Sequence, residues 1–140
     1  MRLFTDGASR GNPGLAGVGV VIEDEQGVRL PGRCRYIGRA TNNEAEYRAL
    51  IEGLQAAMEL KPDRLEVYLD SKLVVEQMNG MYKVKKPELQ PLHARAKELV
   101  AGFGDGHVKI RHVEREKNRG ADALANMAID AHVKKAPPRG

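Results

Sequence analysis

The spacing of apolar residues changes once along this 140-residue chain, and the change limits the folds available to it. Before residue 40, short apolar runs alternate with turn-forming residues, which is typical of strands joined in an antiparallel meander. After residue 40, apolar residues recur at helical spacing, and two short alternating runs interrupt the helices. The pattern therefore predicts three strands followed by alternating helices and strands.

The predicted elements follow the order β-β-β-α-β-α-α-β-α. Strands are expected at residues 2–6, 16–24, 28–37, 65–69 and 107–113, and helices at 43–60, 72–79, 88–102 and 119–133. Strand–helix–strand crossovers join parallel strands. We therefore expect an α/β fold with a five-stranded mixed sheet, in which Pro31 puts the third strand at an edge or in irregular structure.

The composition is typical of one globular domain with a sizeable core. The net charge of +4 and the pI of about 9.3 permit an anionic partner such as nucleic acid without requiring one. Only 4% of the residues are aromatic and none is tryptophan, which argues against the base-stacking surface of single-strand binders.

The sequence also favours an intracellular protein. No stretch approaches the ~18 apolar residues of a membrane span, and Asp6 interrupts the layout of a signal peptide. The single cysteine, Cys34, excludes an internal disulfide and favours a reducing, cytoplasmic compartment. The domain is expected to cover residues 1–133, and the basic, proline-rich residues 134–140 are expected to be disordered.

Four acidic residues lie at or near the ends of predicted elements: Asp6, Glu46, Asp70 and Asp122. Each has an ordinary structural explanation when it is taken alone. Asp6 and Asp70 suit turns or helix caps. Glu46 lies three residues after Asn43, as in a capping box, and Asp122 favours the positive end of its helix.

Taken together, the four acids indicate a metal site. Ligand sites in sheets with parallel strands form where strands end and the next helices begin. Carboxylates gathered there repel one another unless cations neutralise them. A cluster of oxygen ligands without histidine or cysteine is typical of Mg²⁺ or Mn²⁺. Two such ions, about 3.5–4 Å apart, recur in enzymes of in-line phosphoryl displacement.

The sequence around these acids resembles type 1 ribonuclease H. The resemblance rests on four stretches in the family's order: TDGASRGNPG, ATNNEAEYRAL, LDSKLVVEQMNG and RHVEREKNRGADALAN. It implies the ribonuclease H-like fold, with helices on both faces of the sheet. It further implies an endonuclease that uses two divalent ions, Mg²⁺ or Mn²⁺, to hydrolyse the RNA strand of an RNA/DNA hybrid, leaving a 3′-hydroxyl and a 5′-phosphate.

The resemblance also implies residue roles. Asp6, Glu46, Asp70 and Asp122 match the family's metal-binding and catalytic acids, and Glu46 matches the acid that contacts a 2′-hydroxyl. The predicted substrate-binding residues are Gly7, Gly11, Asn12, Thr41, Asn42, Asn43 and Ser71. Among them, the three asparagines match positions that reach the minor groove, and Thr41 matches one that holds a DNA phosphate. Gly7 and Gly11 would let the backbone approach the substrate closely.

Two features depart from many relatives. The loop HVEREKNRGAD offers His112 or Arg115 as an auxiliary catalytic residue, and the arginine is favoured in an electrostatic role because it stays protonated. Glu114 stands where proline is expected. The segment MYKVKKPELQ is too short for the basic helical protrusion of some relatives, which predicts weaker, more salt-sensitive binding of the substrate. Lys83, Lys85 and Lys86 either contact phosphates or form a solvated basic loop.

Other functions remain open at this point. A non-catalytic hybrid-binding module could share the scaffold, although such a module gains nothing from clustered negative charge beside phosphate. Another metal nuclease of the fold, such as a resolvase or an integrase-type core, is a further alternative. Similar domains also occur fused to reverse transcriptases or phosphatases. We expect a monomer that binds an RNA/DNA hybrid and no membrane.

Overall fold

The computed structural model describes residues 1–135. Its strands are β1 (Arg2–Gly11), β2 (Gly14–Glu23), β3 (Arg29–Ala40), β4 (Leu65–Leu69) and β5 (Val108–His112). Its helices are α1 (Asn42–Glu59), α2 (Lys72–Met78), α3 (Gln90–Gly102) and α4 (Arg119–Lys135), with a 3₁₀ helix at Arg115–Lys117. The predicted order of strands and α-helices is confirmed.

The strands form one mixed sheet in the order β3-β2-β1-β4-β5. β1, β2 and β3 pair antiparallel, whereas β4 pairs in parallel with both β1 and β5. The expectation for Pro31 is also confirmed, because β3 is an edge strand whose register with β2 shifts twice.

Different helices cover the two faces of the sheet. A Cβ on Gly53 of α1 would lie 2.5 Å from Cγ2 of Thr5, and a Cβ on Gly19 of β2 would lie 2.0 Å from the carbonyl oxygen of Ala121 in α4. Thr5 and its neighbour Asp6 point to opposite faces because side chains alternate along a strand. Since Asp6 pairs with Gly19, α1 and α4 pack on opposite faces, as expected.

The main hydrophobic core lies on the α1 side, where α3 packs on α1 and α2 packs beside β4 and β5. Its largest fully buried side chains include Tyr47, Leu3, Leu50, Leu54, Leu65, Leu69 and Leu89. None of the helices within residues 1–135 combines the length and the apolar character that a membrane crossing needs.

Two boundaries differ from prediction. β1 does not end at Asp6 but continues to Gly11, because the glycine-rich segment stays paired with β2 down to the contact between Gly11 and Gly14. The last helix runs to Lys135, so residues 134 and 135 of the expected disordered tail are helical. The rest of that tail, residues 136–140, lies outside the described residues.

Candidate active site

Three of the predicted acids converge at one end of the sheet. Each of Asp6, Glu46 and Asp70 offers a carboxylate oxygen that lies within 4.8 Å of those of the other two. The parallel pairing of β1 with β4 ends at Phe4 and Tyr68. Asp6 and Asp70 each follow by two residues, so the alternation of side chains brings them to the same face as that pair.

Glu46 reaches this end of the sheet from the first turns of α1. Its Oε1 accepts a buried hydrogen bond of 3.4 Å from the main-chain N–H of Gly7. Its Oε2 is buried and has no hydrogen-bond partner within residues 1–135. A buried carboxylate oxygen without a donor is costly, so this atom is placed as a cation ligand would be.

The pKa values of Asp6 and Glu46 are raised, as expected for buried acids that lie close together. Burial raises the pKa of Asp6 above its ordinary value, and the negative charge of Glu46 raises it further. Burial also raises the pKa of Glu46 and the negative charge of Asp70 adds to the effect, although the N–H of Gly7 and the positive charge of Arg115 act in the opposite direction. A divalent cation would relieve the crowding of these carboxylates.

Asp122 lies beside the three converging acids rather than among them. It occupies the first turn of α4, as predicted. It lies close enough to Asp6 to contribute to the raised pKa of that residue. The structure therefore brings all four predicted acids together, with Asp6 as the residue that joins Asp122 to the group.

The capping box that the sequence suggested for Asn43 and Glu46 does not form at the start of α1. Thr41 is the N-cap of α1: its Oγ1 accepts from the N–H of Glu44 at 3.2 Å, and its own N–H donates to Oε1 of Glu44 at 2.9 Å. The capping box is thus Thr41–Glu44 rather than Asn43–Glu46. The carboxylate of Glu46 is left free to join the acidic group.

The predicted substrate-binding residues near the hairpin lie close together. Oδ1 of Asn12 accepts from the N–H of Asn42 at 3.1 Å, which ties the β1–β2 turn to the start of α1. Asn43 follows as the second residue of the helix. Gly11 has φ +133, a conformation that favours glycine.

Gly7 packs closely against the backbone of α1. A Cβ on this residue would lie 2.1 Å from the backbone carbon and oxygen of Ala45. The missing side chain therefore admits α1, and the approach of the Gly7 backbone to a substrate stays a prediction.

The remaining predicted residues belong to the start of α2, the segment after it, β5 and the 3₁₀ helix. Ser71 is the N-cap of α2, and its Oγ accepts from the N–H of Val74 at 3.3 Å. Arg115 begins the 3₁₀ helix, and His112 is exposed at the end of β5. The segment between α2 and α3 contains no helix, and its three lysines, Lys83, Lys85 and Lys86, are exposed.

Two asparagines that the sequence reasoning did not single out contact the acids. Nδ2 of Asn118 donates to Oδ2 of Asp70 at 3.3 Å, and Nδ2 of Asn126 donates to Oδ1 of Asp122, also at 3.3 Å. They stand four residues before and four residues after Asp122. That spacing puts side chains on one helix face and is the signal that would have found Asn126.

The arrangement fits a divalent metal. All donors are carboxylate oxygens, which suit hard cations such as Mg²⁺ or Mn²⁺. The buried, unpartnered Oε2 of Glu46 supplies an independent reason for a cation at this position.

The sequence is similar to those of known proteins that share one family. The family described as "Reverse transcriptase-like" matches residues 4–128. Ribonuclease H of Halorhodospira halophila is 37% identical over 144 residues, covering 93% of each chain. The chain belongs to the type 1 ribonuclease H family. Ribonuclease HI of Halobacterium salinarum is 47% identical over 127 residues, which are 91% of this chain and 63% of that protein.

Solved structures of the family agree with the fold. The crystal structure of RNase H1 from Halobacterium salinarum superposes with a TM-score of 0.88 at 46% identity, covering 93% of this chain and 97% of that one. LC11-RNase H1 in complex with RNA/DNA hybrid has a TM-score of 0.87 at 43% identity, with 94% and 98% covered. The chain spans only 36% of a bifunctional Mycobacterium tuberculosis relative that is 47% identical to it.

Proposed function

We propose that this chain is an endonuclease that hydrolyses the RNA strand of RNA/DNA hybrids. The observation that carries the proposal is the convergence of Asp6, Glu46 and Asp70, with Asp122 beside Asp6. The complex of a family member, LC11-RNase H1, with RNA/DNA hybrid supports the choice of substrate. The products would carry a 3′-hydroxyl and a 5′-phosphate.

The four carboxylates would hold two divalent cations, Mg²⁺ or Mn²⁺. Bound cations supply the positive charge that favours ionisation of a water and stabilises the leaving oxygen. The chain's own contribution is to fix the acids beforehand. Gly7 holds one oxygen of Glu46, and the two asparagines, Asn118 and Asn126, each hold one oxygen of Asp70 or Asp122.

The polar residues beside the acids suit a ribose-containing partner. Asn12 uses its amide oxygen to bind Asn42, and the NH₂ end of the same amide can still donate to a base edge or a 2′-hydroxyl. Recognition across a minor groove through 2′-hydroxyls depends on helix shape and is largely independent of sequence. Asn43, Gly11 and Ser71 would contribute to the same surface.

Thr41 and Arg115 would act on phosphates. Thr41 lies at the N-terminus of α1, where free N–H groups favour an anion, and we assign to it a phosphate of the DNA strand. Arg115 is near enough to Glu46 to favour its ionised form. A permanently charged guanidinium there would assist phosphate binding and departure electrostatically.

Cleavage of a labelled RNA/DNA hybrid in Mg²⁺ and in Mn²⁺ tests the proposal. We expect the wild type to cut only the RNA strand and Asp70→Asn to lose turnover while it keeps the circular dichroism spectrum of the wild type. Asp105→Asn, which changes an exposed loop acid, is the matched control and should retain full activity.

Four results would contradict the proposal. One is a wild type inert on hybrids in both metals, and another is full activity in Asp70→Asn. A gel shift without cleavage would favour the hybrid-binding module, and faster cutting of branched DNA than of hybrids would favour a resolvase.

We further propose a monomeric catalytic domain formed by residues 1–135 that works in a reducing, cytoplasmic setting. The continuous sheet and the exposed free thiol of Cys34 support this assignment. Light scattering of the purified chain tests the monomer.

A further inference from the structure

The four acids of the site are held in different ways. Asp6 and Glu46 are 4% and 8% exposed, so packing restricts their side chains. Asp70 and Asp122 are only half-buried. Short side chains that packing does not fix need hydrogen bonds if they are to stay in one orientation, and each of these two acids receives one from an asparagine amide.

Asn118 joins Asp70 to two other parts of the fold. It is 1% exposed, and its Nδ2 donates both to Oδ2 of Asp70 at 3.3 Å and to the main-chain oxygen of Thr5 at 2.9 Å. Its own main-chain oxygen accepts from the N–H of Asp122 at 3.1 Å. One buried residue thus connects the end of β4, strand β1 and the first turn of α4.

Asn126 fixes Asp122 from one turn further along α4. Its Nδ2 donates to Oδ1 of Asp122 at 3.3 Å and to the main-chain oxygen of the same residue at 3.1 Å. Its Oδ1 accepts from Nη2 of Arg10 at 3.4 Å, and that guanidinium also bonds Asp130 at 2.6 Å. Arg10 therefore orients the amide of Asn126, while its positive charge pairs with Asp130 rather than with Asp122.

A neutral amide is the appropriate donor beside acids that must bind cations. It orients a carboxylate without neutralising its charge, whereas an arginine or lysine in the same place would compete with the metal. We propose that Asn118 and Asn126 are positioning residues that fix Asp70 and Asp122 for divalent cations. This inference rests on the proposed function, because it concerns the same four carboxylates.

Replacement of each amide by an apolar side chain of similar size tests the proposal. The variants are Asn118→Leu and Asn126→Leu, with Asn126→Gln as a conservative variant that keeps an amide donor. Asn79→Leu is the matched control, since Asn79 donates to the main-chain oxygen of Ile110 at 3.1 Å, outside the acidic group. Binding of Mn²⁺ to substrate-free protein is followed by electron paramagnetic resonance, and kcat and KM are measured on hybrid.

The expected result is a loss of Mn²⁺ affinity of about tenfold or more in both leucine variants, as is typical when partners of metal ligands are removed. A fall in kcat with unchanged KM should accompany it, and Asn126→Gln should recover most of both losses. Asn79→Leu should bind Mn²⁺ as the wild type does.

The inference is wrong if Asn126→Leu and Asn79→Leu bind Mn²⁺ within about twofold of each other. Asn126 decides the matter if Asn118→Leu fails to fold, because Asn126 is half-buried and its replacement leaves the core intact. A wild type that binds Mn²⁺ but leaves hybrids uncut would contradict the proposed function alone. Weakened Mn²⁺ binding in the leucine variants would still support the positioning role in that case.

Discussion

The main-chain N–H of Gly7 donates a buried hydrogen bond to Oε1 of Glu46, 39 residues away in the chain. The bond forms because Gly7 has no Cβ. A Cβ there would lie 2.1 Å from the carbonyl carbon of Ala45, so any side chain would push α1 away from β1. Strand β1 thus carries one acid of the site, Asp6, and sets the position of a second.

Gly7→Ala should therefore damage both stability and activity. The clash is with helix backbone, which cannot rotate away, and overpacking of this kind costs about 1–3 kcal/mol. A displacement of Glu46 by about 1 Å should lower kcat by about 100-fold. Thermal unfolding and hybrid cleavage are the measurements.

Gly102→Ala is the control for Gly7→Ala. It adds a methyl group at the end of α3, where the nearest atom is the flexible Cε of Met58 at 3.1 Å. Its stability and kcat should match those of the wild type. Near-normal kcat in Gly7→Ala would show that the position of Glu46 does not depend on this contact.

Much of the fold follows from periodicity. The alternation of Leu65, Val67 and Leu69 predicts β4 with its observed bounds, because one side of that strand is buried throughout. The glycine-rich half of β1 was wrongly predicted as a loop. Turn-forming residues dominate Gly7–Gly11, and only the pairing with β2, which local sequence does not encode, keeps the segment extended.

The acidic residues of the site could be predicted from the sequence, whereas the neutral residues that position them could not. The places of the four acids at the ends of elements predicted that they lie together, as they do in the structure. The capping box was not predicted, since Thr41–Glu44 and Asn43–Glu46 share the same spacing. The roles of Asn118 and Asn126 depend on tertiary contacts. Because asparagine is also common in helix caps and turns, its presence in the sequence does not indicate a contact with an acid.

Asp6→Asn should raise the stability of the metal-free protein at neutral pH. Burial raises the pKa of Asp6, and the charge of Glu46 adds to the effect, so ionisation of Asp6 opposes folding. Removal of that carboxylate should raise Tm by about 4 °C or more, measured by calorimetry in EDTA. Asp105→Asn, at an exposed position, should leave Tm unchanged.

The folding stability of the metal-free protein should decrease as the pH rises, for the same reason. Above about pH 4, the unfolded chain releases the proton of Asp6 while the folded protein retains it, so stability falls as pH rises from there towards the folded pKa. Asp6→Asn should flatten this slope, and saturating Mg²⁺ should raise Tm most at neutral pH. A metal-free Tm that rises between pH 4 and 7 would contradict the assignment.

Thr41→Val should weaken the helix cap and the grip on substrate together. Loss of the hydroxyl costs about 1 kcal/mol of folding free energy, and KM should rise because the proposed phosphate ligand is lost. Thr41→Ser keeps the hydroxyl and should restore both. Glu44→Leu removes the other half of the capping box and should lower stability without raising KM. An equal rise of KM in Glu44→Leu would mean that Thr41 acts only through the cap.

Arg115→Gln should lower kcat by about 100-fold, the scale of losing one electrostatic donor to a transition state. The expectation rests on the position of Arg115 at the start of the 3₁₀ helix, where its charge reaches Glu46. Arg115→Lys should be intermediate, since lysine keeps the charge but not the planar fork that matches a phosphate. His112 ends β5 with an exposed side chain, and His112→Gln should leave single-turnover cleavage near the wild-type rate. If His112→Gln instead loses more activity than Arg115→Gln, the auxiliary role belongs to the histidine, and the arginine serves only as a surface charge.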